Sequence, residues 1–323
     1  MVKSQRVAVA GGTGGIGRHV VEGLLALQKR SPGSLSAVIV LSRSKRPDIE
    51  FEGGRAPVYA VDYNDPTSIE KVLSELHIDT IISTLACEPS IFIPAQNHLL
   101  AAALKVPSVH RFAPSEFAPD PEQLVSAPLY QMKHPILKSL REAKAERPGK
   151  FEFTKFTCGI FMNYFGFGNT KDEGHKAHGH LADLPYMLDL SKQMADVPGD
   201  GNMKCWVTAA EDIGDFVAEA TQLEIWPEEC TMSGDVLTVN EIIQLAEKIT
   251  GKKLQVKHNT REDIEARKVP DINPDPWYAN LYLDIYICYI NNEHIQKTSV
   301  LNELTNVKPI TVEEFLEKWW GKE

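Results

Sequence analysis

Read for its apolar and polar positions, the first half of the chain alternates between short buried runs and stretches of helical period. RVAVA (6–10) is apolar and β-branched and stops at a cluster of glycines. GRHVVEGLLALQKR then sets Val20, Val21, Leu24, Leu25 and Leu27 mostly on one helical face. SAVIVLSR (36–43) predicts a second buried strand and APVYAVD (56–62) a third. NDPTSIEKVLSEL follows as a helix, with Asp65 as its N-cap and Pro66 at its first position. DTIISTLA (79–86) predicts a fourth strand, with FIPAQNHLLAAALK as its helix. VPSVHRFAPSEF opens on a fifth; YQMKHPILKSLREAKAER is helical, and FEFTKFT reads as a sixth strand. Such alternation predicts an α/β, Rossmann-type doubly wound parallel sheet covered on both faces.

The rhythm changes after residue 157. GNTKDEGHKAHGHLADLP is polar and reads as a loop. Three capping-box patterns, Thr208 with Glu211, Thr238 with Glu241, and Thr311 with Glu314, each predict a helix start. The expected division is a nucleotide-binding unit over 1–157 and a smaller α/β substrate-binding unit over 158–323, part of it returning to pack on the first.

Composition narrows the function. The 323 residues carry a net charge of -10, which disfavours nucleic acid and anionic membrane as partners. No apolar run is long enough to span a bilayer, and MVKSQRVAVAGG does not resemble a secretory signal. Five scattered cysteines (Cys87, Cys158, Cys205, Cys230, Cys288) form no C-x-x-C pair and read as buried free thiols of a cytoplasmic protein. The expected partner is a small-molecule substrate, and the sequence is compatible with a homo-oligomer.

Five glycines fall within residues 11–17, between the first strand and the first helix. There, missing side chains let a pyrophosphate approach the free N–H groups of a helix N-terminus. The spacing is G-x-x-G-x-x-G, and the residues expected to line the phosphates are Gly11, Thr13, Gly14, Gly15, Ile16 and Gly17. An acidic residue closing the second strand would hold the ribose hydroxyl of NAD, but LSRSKRP stands there instead. Ser42, Arg43 and Lys45 offer hydrogen-bond donors and positive charge for a 2′-phosphate, which selects NADP(H). Asp62 can accept from the adenine amino group or cap the following turn. Ser83 and Thr84 close the fourth strand at the ligand edge of the sheet.

The Y-x-x-x-K pair common in short-chain dehydrogenases is missing, since Tyr130 and Lys133 in YQMK are three apart. Lys133 opens a helix after the fifth strand, where its head could reach the nicotinamide ribose of the cofactor and the substrate, and where partial burial and the helix N-terminus would favour a general base, although a solvated helix lysine is the alternative. The ordered motifs GGTGGIG, RFAPSEFAPD, KHPILKSLREA, PGDGNMKCWVTAAEDIGDFV and LTVNEIIQLAEKITGKKL resemble the isoflavone reductase-like branch of the atypical short-chain dehydrogenases, close to the NmrA-like proteins. That resemblance runs from residue 6 to VKPITVEEFLEKWW. It implies NADPH as hydride donor, Lys133 followed by Ile136 as the catalytic lysine, and a phenolic or enone-like substrate. The paired basic residues of the plant enzymes are here Leu137 and Lys138.

CGIFMNYF (158–165) falls where the family passes from cofactor to substrate contacts, so Phe161 and Tyr164 are candidates to stack on an aromatic or polyketide-like substrate. His175, His178 and His180 lie in a glycine-bearing loop without cysteine partners, so no metal site is expected there. His178 is instead a candidate to border the substrate pocket. The expected function is hydride transfer from NADPH to a conjugated or carbonyl carbon. An NADP(H)-binding sensor without turnover and a non-redox isomerase are the alternatives.

Overall fold

Val7, Ala8, Val9 and Ala10 are all fully buried, as a central parallel strand with no solvent face requires. In the computed structural model, which describes residues 3–85, 89–171, 176–268, 271–273 and 275–322, these residues form β1 (Arg6–Ala10), followed by α1 (Gly15–Arg30) and β2 (Ala37–Ser42). A hairpin of β3 (Ile49–Phe51) and β4 (Gly54–Ala56) precedes β5 (Val58–Ala60), α2 (Pro66–Glu75), β6 (Thr80–Ser83), α3 (Pro89–Lys105) and β7 (Arg111–Ala113). Then come α4 (Pro128–Gln131), α5 (His134–Glu146) and β8 (Glu152–Phe153). The sheet runs β5-β2-β1-β6-β7-β8 and its pairings are all parallel. Asp65 caps α2 by accepting from the Thr67 N–H at 2.9 Å, with Pro66 behind it. The strand expected over 56–62 is shorter: Ala56 closes the hairpin and only Val58–Ala60 enters the sheet, opposite Val40–Ser42.

The second half contains β9 (Lys155–Thr157), β10 (Ile160–Phe161), β11 (Leu188–Asp189), β12 (Met194–Pro198), β13 (Lys204–Thr208), α6 (Ala210–Ala220), β14 (Glu229–Thr231) and β15 (Asp235–Thr238). It ends with α7 (Val239–Thr250), β16 (Gln255–Asn259), α8 (Arg261–Glu265), α9 (Pro276–Ile290), α10 (Val300–Leu304) and α11 (Val312–Trp320). Two small sheets, β10-β13-β15 and β11-β12-β16, share a core with the inner faces of α7, α9 and α11, centred on Tyr186, Tyr286, Phe315 and Trp319. FEFTKFT does not make one sixth strand. It divides into β8, in the large sheet, and β9, which leaves to pair with β14.

Part of this half belongs to the first sheet's cover. Ile213, Phe216 and Val217 of α6 join Val20, Val21 and Leu24 of α1 in one core. The two helices cross with backbones in contact, because Gly23 faces the carbonyl of Gly214 and Gly214 faces that of His19. Arg111, fully buried in β7, ties down the far end of α6. Its guanidinium donates to Glu152 Oε1 at 2.7 Å and to the carbonyls of Thr221 and Leu223 at 2.9 and 2.8 Å.

Thr238 and Thr311 make full capping boxes with Glu241 and Glu314. The third pattern does not. Thr208 ends β13 and donates its hydroxyl to the Cys158 carbonyl, and α6 starts after Ala209. Asn163 replaces it from a distance, accepting the Ala210 N–H at 2.7 Å while its amide donates to Glu211 and to the Ala177 carbonyl. Cys158, Cys205, Cys230 and Cys288 are buried and free, and Cys87 lies outside the described residues. Among the described residues no helix is long and apolar enough to cross a membrane.

Candidate functional site

The carboxyl ends of β1, β6 and β7 open where the strand order reverses, the place where open α/β sheets hold ligands. Here the chain turns from β1 into α1 through the glycine loop. Gly11 has φ +84° and lies against the Thr84 carbonyl, while a side chain at Gly17 would strike Gly11 and Thr84. These two glycines seat the helix on the sheet. Gly14 and Gly15 differ: a methyl group added at either would meet nothing within 4 Å. Gly14 is the N-cap and supplies no side-chain acceptor, and the first turn of α1 carries no acidic residue. Open space before a helix N-terminus that has no side-chain cap fits a pyrophosphate. Thr13 is exposed beside it, and the partly buried Ile16 packs against the core behind.

Arg43 and Asp62 meet in a groove of about 680 Å³ whose apolar side is Ile91, Pro94 and Ala95. An adenosine with a 2′-phosphate fits that combination: a flat apolar wall, one guanidinium and one carboxylate. Asp62 also accepts the Asn64 N–H at 2.9 Å, so it caps the turn and lines the groove at once. Lys45 is exposed and outside the groove lining, and Ser42 is buried at the end of β2. The hydroxyls of Ser83 and Thr84 turn inward, to Gln96 Oε1 at 2.7 Å and the Ala10 carbonyl at 2.9 Å. They shape the loop from below.

Lys133 is the N-cap residue of α5 and is 2% exposed. Its Nζ lies 2.9 Å from Glu116 Oε2 and donates to the Ser115 carbonyl at 2.6 Å. The rings of Phe92 and Tyr130 stand 5.5 and 5.6 Å from the same nitrogen. Burial favours a neutral lysine, but a contacting carboxylate favours the ammonium, a neighbour that sequence spacing did not supply. Burial pushes the Glu116 carboxyl up from its ordinary value, with Lys133 opposing.

Tyr130, whose ring faces the Lys133 nitrogen, lines a pocket of about 140 Å³; Lys133 itself is not in that lining. Phe161 and Tyr164 meet edge to face there at 5.7 Å. Tyr186, Tyr278, Tyr282 and Tyr289 close it, and among the described residues no charged side chain lines it. Burial pushes the Tyr164 phenol up, so the hydroxyl stays neutral. Residues 278, 282 and 289 were within reach of sequence reading, since they recur at helical spacing on α9.

The histidine loop goes elsewhere. His178 is not in the pocket lining; its Nδ1 bonds to the Leu181 carbonyl at 3.0 Å. His175 lies outside the described residues. His180 instead clasps α1: its carbonyl accepts the Gly15 N–H at 3.1 Å, its N–H donates to His19 Nε2 at 3.1 Å, and its ring meets Glu22 at 3.0 Å. Burial lowers the His19 pKa, which suits a neutral acceptor. Two groups of potential metal ligands exist among the described residues, and protein donors already fill both. Arg18 holds Glu22 at 2.7 Å in the His19–Glu22–His180 group. Lys155 occupies the centre of the Asp120–Glu122–Glu229 group at 2.9, 2.7 and 3.2 Å.

Comparison with known proteins matches residues 3–316 to the model of the NmrA-like family. Oxidoreductase BOA1 of Botryotinia fuckeliana (strain B05.10) is 31% identical over 250 residues, 77% of each chain. A leucoanthocyanidin reductase–NADPH complex from Vitis vinifera is 25% identical with a TM-score of 0.66, covering 97% of this chain and 99% of that one. AtPrR2 with NADP+ and (+)-pinoresinol shares the fold at a TM-score of 0.72, with 22% identity over 98% of this chain and 99% of that one.

Proposed function

Because this chain belongs to the NmrA-like family and is an NADP(H)-dependent oxidoreductase, we propose that it reduces a conjugated or carbonyl carbon of a small, uncharged aromatic or polyketide-like molecule, with Lys133 managing the proton. One observation carries the reading: a buried lysine nitrogen stands at the ligand edge of the sheet, facing the ring of Tyr130, which lines an aromatic pocket without charged side chains among the described residues. NADPH, when bound, supplies the hydride. The NADP(H) complexes among the fold relatives support that assignment.

Gly14 and Gly15 leave room for the pyrophosphate at the N-terminus of α1, and Arg43 with Asp62 takes the adenosine end. Phe161 and Tyr164 offer ring faces and edges to a flat substrate. Burial of Lys133 keeps bulk water from its ammonium, so its hydrogen bond to the reacting group acts in a low dielectric. Among the described residues no charged side chain lines the pocket, which favours an uncharged substrate over a phosphorylated or carboxylate one, whose desolvation those residues would not offset.

The test follows NADPH consumption over a panel of enones, quinone methides and ketones. Lys133→Ala should lose roughly 10²–10⁴-fold in turnover, the usual worth of a positioned acid or base, while its NADPH affinity stays within a few-fold. Unchanged turnover in Lys133→Ala would refute the role.

A further inference from the structure

Glu116 sits in the turn after β7 and is completely buried. Its Oε2 forms an ion pair with Lys133 Nζ at 2.9 Å, and neither carboxylate oxygen accepts a well-aligned hydrogen bond among the described residues. A carboxylate out of water is costly unless a cation compensates it, and here the cation in contact is Lys133. The dependence runs both ways, since a 2% exposed ammonium has the same need. Nζ also donates to the Ser115 carbonyl at 2.6 Å, a second tie on the head group.

We propose that Glu116 is the positioning residue of the site: it holds Lys133 as an oriented ammonium, so that Lys133 enters the reaction as a proton donor and not as a base. The catalytic half of this statement rests on the proposed reductase function. In that reaction hydride reaches the acceptor carbon and leaves an anion on the substrate. One N–H bond of the ammonium breaks, its proton passes to that anion, and the resulting amine regains a proton from solvent as product leaves. The substrate gains two electrons and NADPH, oxidised to NADP⁺, loses them.

Among the described residues, other ionisable groups acting on the pair include Asp120, from the following loop, and Lys155, from β9, which are ion-paired with each other, together with Cys158 and Tyr130 beside Lys133. Burial pushes the Cys158 thiol up, so it brings no charge.

The experiment labels lysine at Cε with ¹³C, identifies the Lys133 signal by its loss in Lys133→Met, and titrates the cofactor-free protein from pH 6 to 11. Wild type should keep the ammonium shift well into the alkaline range. In Glu116→Gln the change to free amine should move down by at least one pH unit, and in Glu116→Asp it should move the same way by less, far-UV circular dichroism confirming the fold. If Gln is not tolerated, the Asp curve decides alone. A curve superimposable on wild type overturns the inference. The titration needs no substrate, so it separates two failures. A shifted curve with full turnover in Lys133→Ala removes the catalytic reading and keeps the ion pair. An unshifted curve with dead Lys133→Ala does the reverse.

Discussion

Replacing Gly214 by alanine tests whether the contact between α1 and α6 sets the geometry of the nucleotide site. The added methyl would lie 2.8 Å from the carbonyl carbon of His19 and nearer still to its oxygen, where ordinary contact begins at 3.4 Å. Both sides are backbone, so no side chain can swing away, and the helices must part by roughly 0.6–1 Å. Overpacking of this kind costs about 1–3 kcal/mol, and rigid neighbours place it near the top. Helix propensity returns about 1 kcal/mol for Gly→Ala. The net loss is about 2 kcal/mol, a fall in Tm of about 4–8 °C at the usual 2–4 °C per kcal/mol. Differential scanning calorimetry reads it directly. NADPH affinity should fall too, because His19 and the start of α1 belong to the same helix. A Tm that rises, as propensity alone demands, would refute the close-contact argument.

Other expectations follow from single groups. Arg43→Ser should weaken NADPH binding by roughly 10–150-fold, the worth of a charge-assisted hydrogen bond of about 1.5–3 kcal/mol, and leave NADH affinity unchanged; isothermal titration of both nucleotides compares them. Asn163→Ala deprives the Ala210 N–H, the Ala177 carbonyl and Glu211 of their shared partner, so it should cost several kcal/mol by urea unfolding, against about 1 kcal/mol for the cap mutant Thr311→Ala. Burial pushes the Asp212 carboxyl up to about 7. The folded state therefore binds the extra proton between about pH 4 and 7, and this group lowers stability as pH rises through that window. Urea midpoints from pH 4 to 8 should show a shallower fall in Asp212→Asn, whose amide oxygen can still accept the Ile310 N–H that Asp212 accepts now at 2.9 Å.

What could be read in advance was whatever one local stretch decides. The strand at 6–10, the face of α1, the Asp65 cap and two capping boxes each depend on residues within a turn or two of one another. Where a distant segment decides, local pattern failed. Thr208 with Glu211 has the right spacing, but Asn163, 47 residues before the Ala210 N–H it accepts, takes the capping role. Lys155–Thr157 reads as one strand with Glu152–Phe153 until β14 arrives to pair with it. Glu116 stood inside a quoted motif without a role, because only the fold brings it against Lys133. The histidine loop shows the same limit at short range: Gly179, with φ +58°, reverses the chain between His178 and His180 and sends them to different places.

The return of α6 has a consequence for synthesis. A ribosome that has released the first 157 residues has made every strand of the large sheet, yet not the helix that shields Val20, Val21 and Leu24. Arg111 meanwhile lacks the Thr221 and Leu223 carbonyls that receive its guanidinium. At about 5–20 residues per second, the remaining stretch leaves that greasy flank bare for several seconds. A fragment cut at the apparent boundary would stay in this half-dressed condition and clump, whereas one extended past residue 232 would carry its own cover.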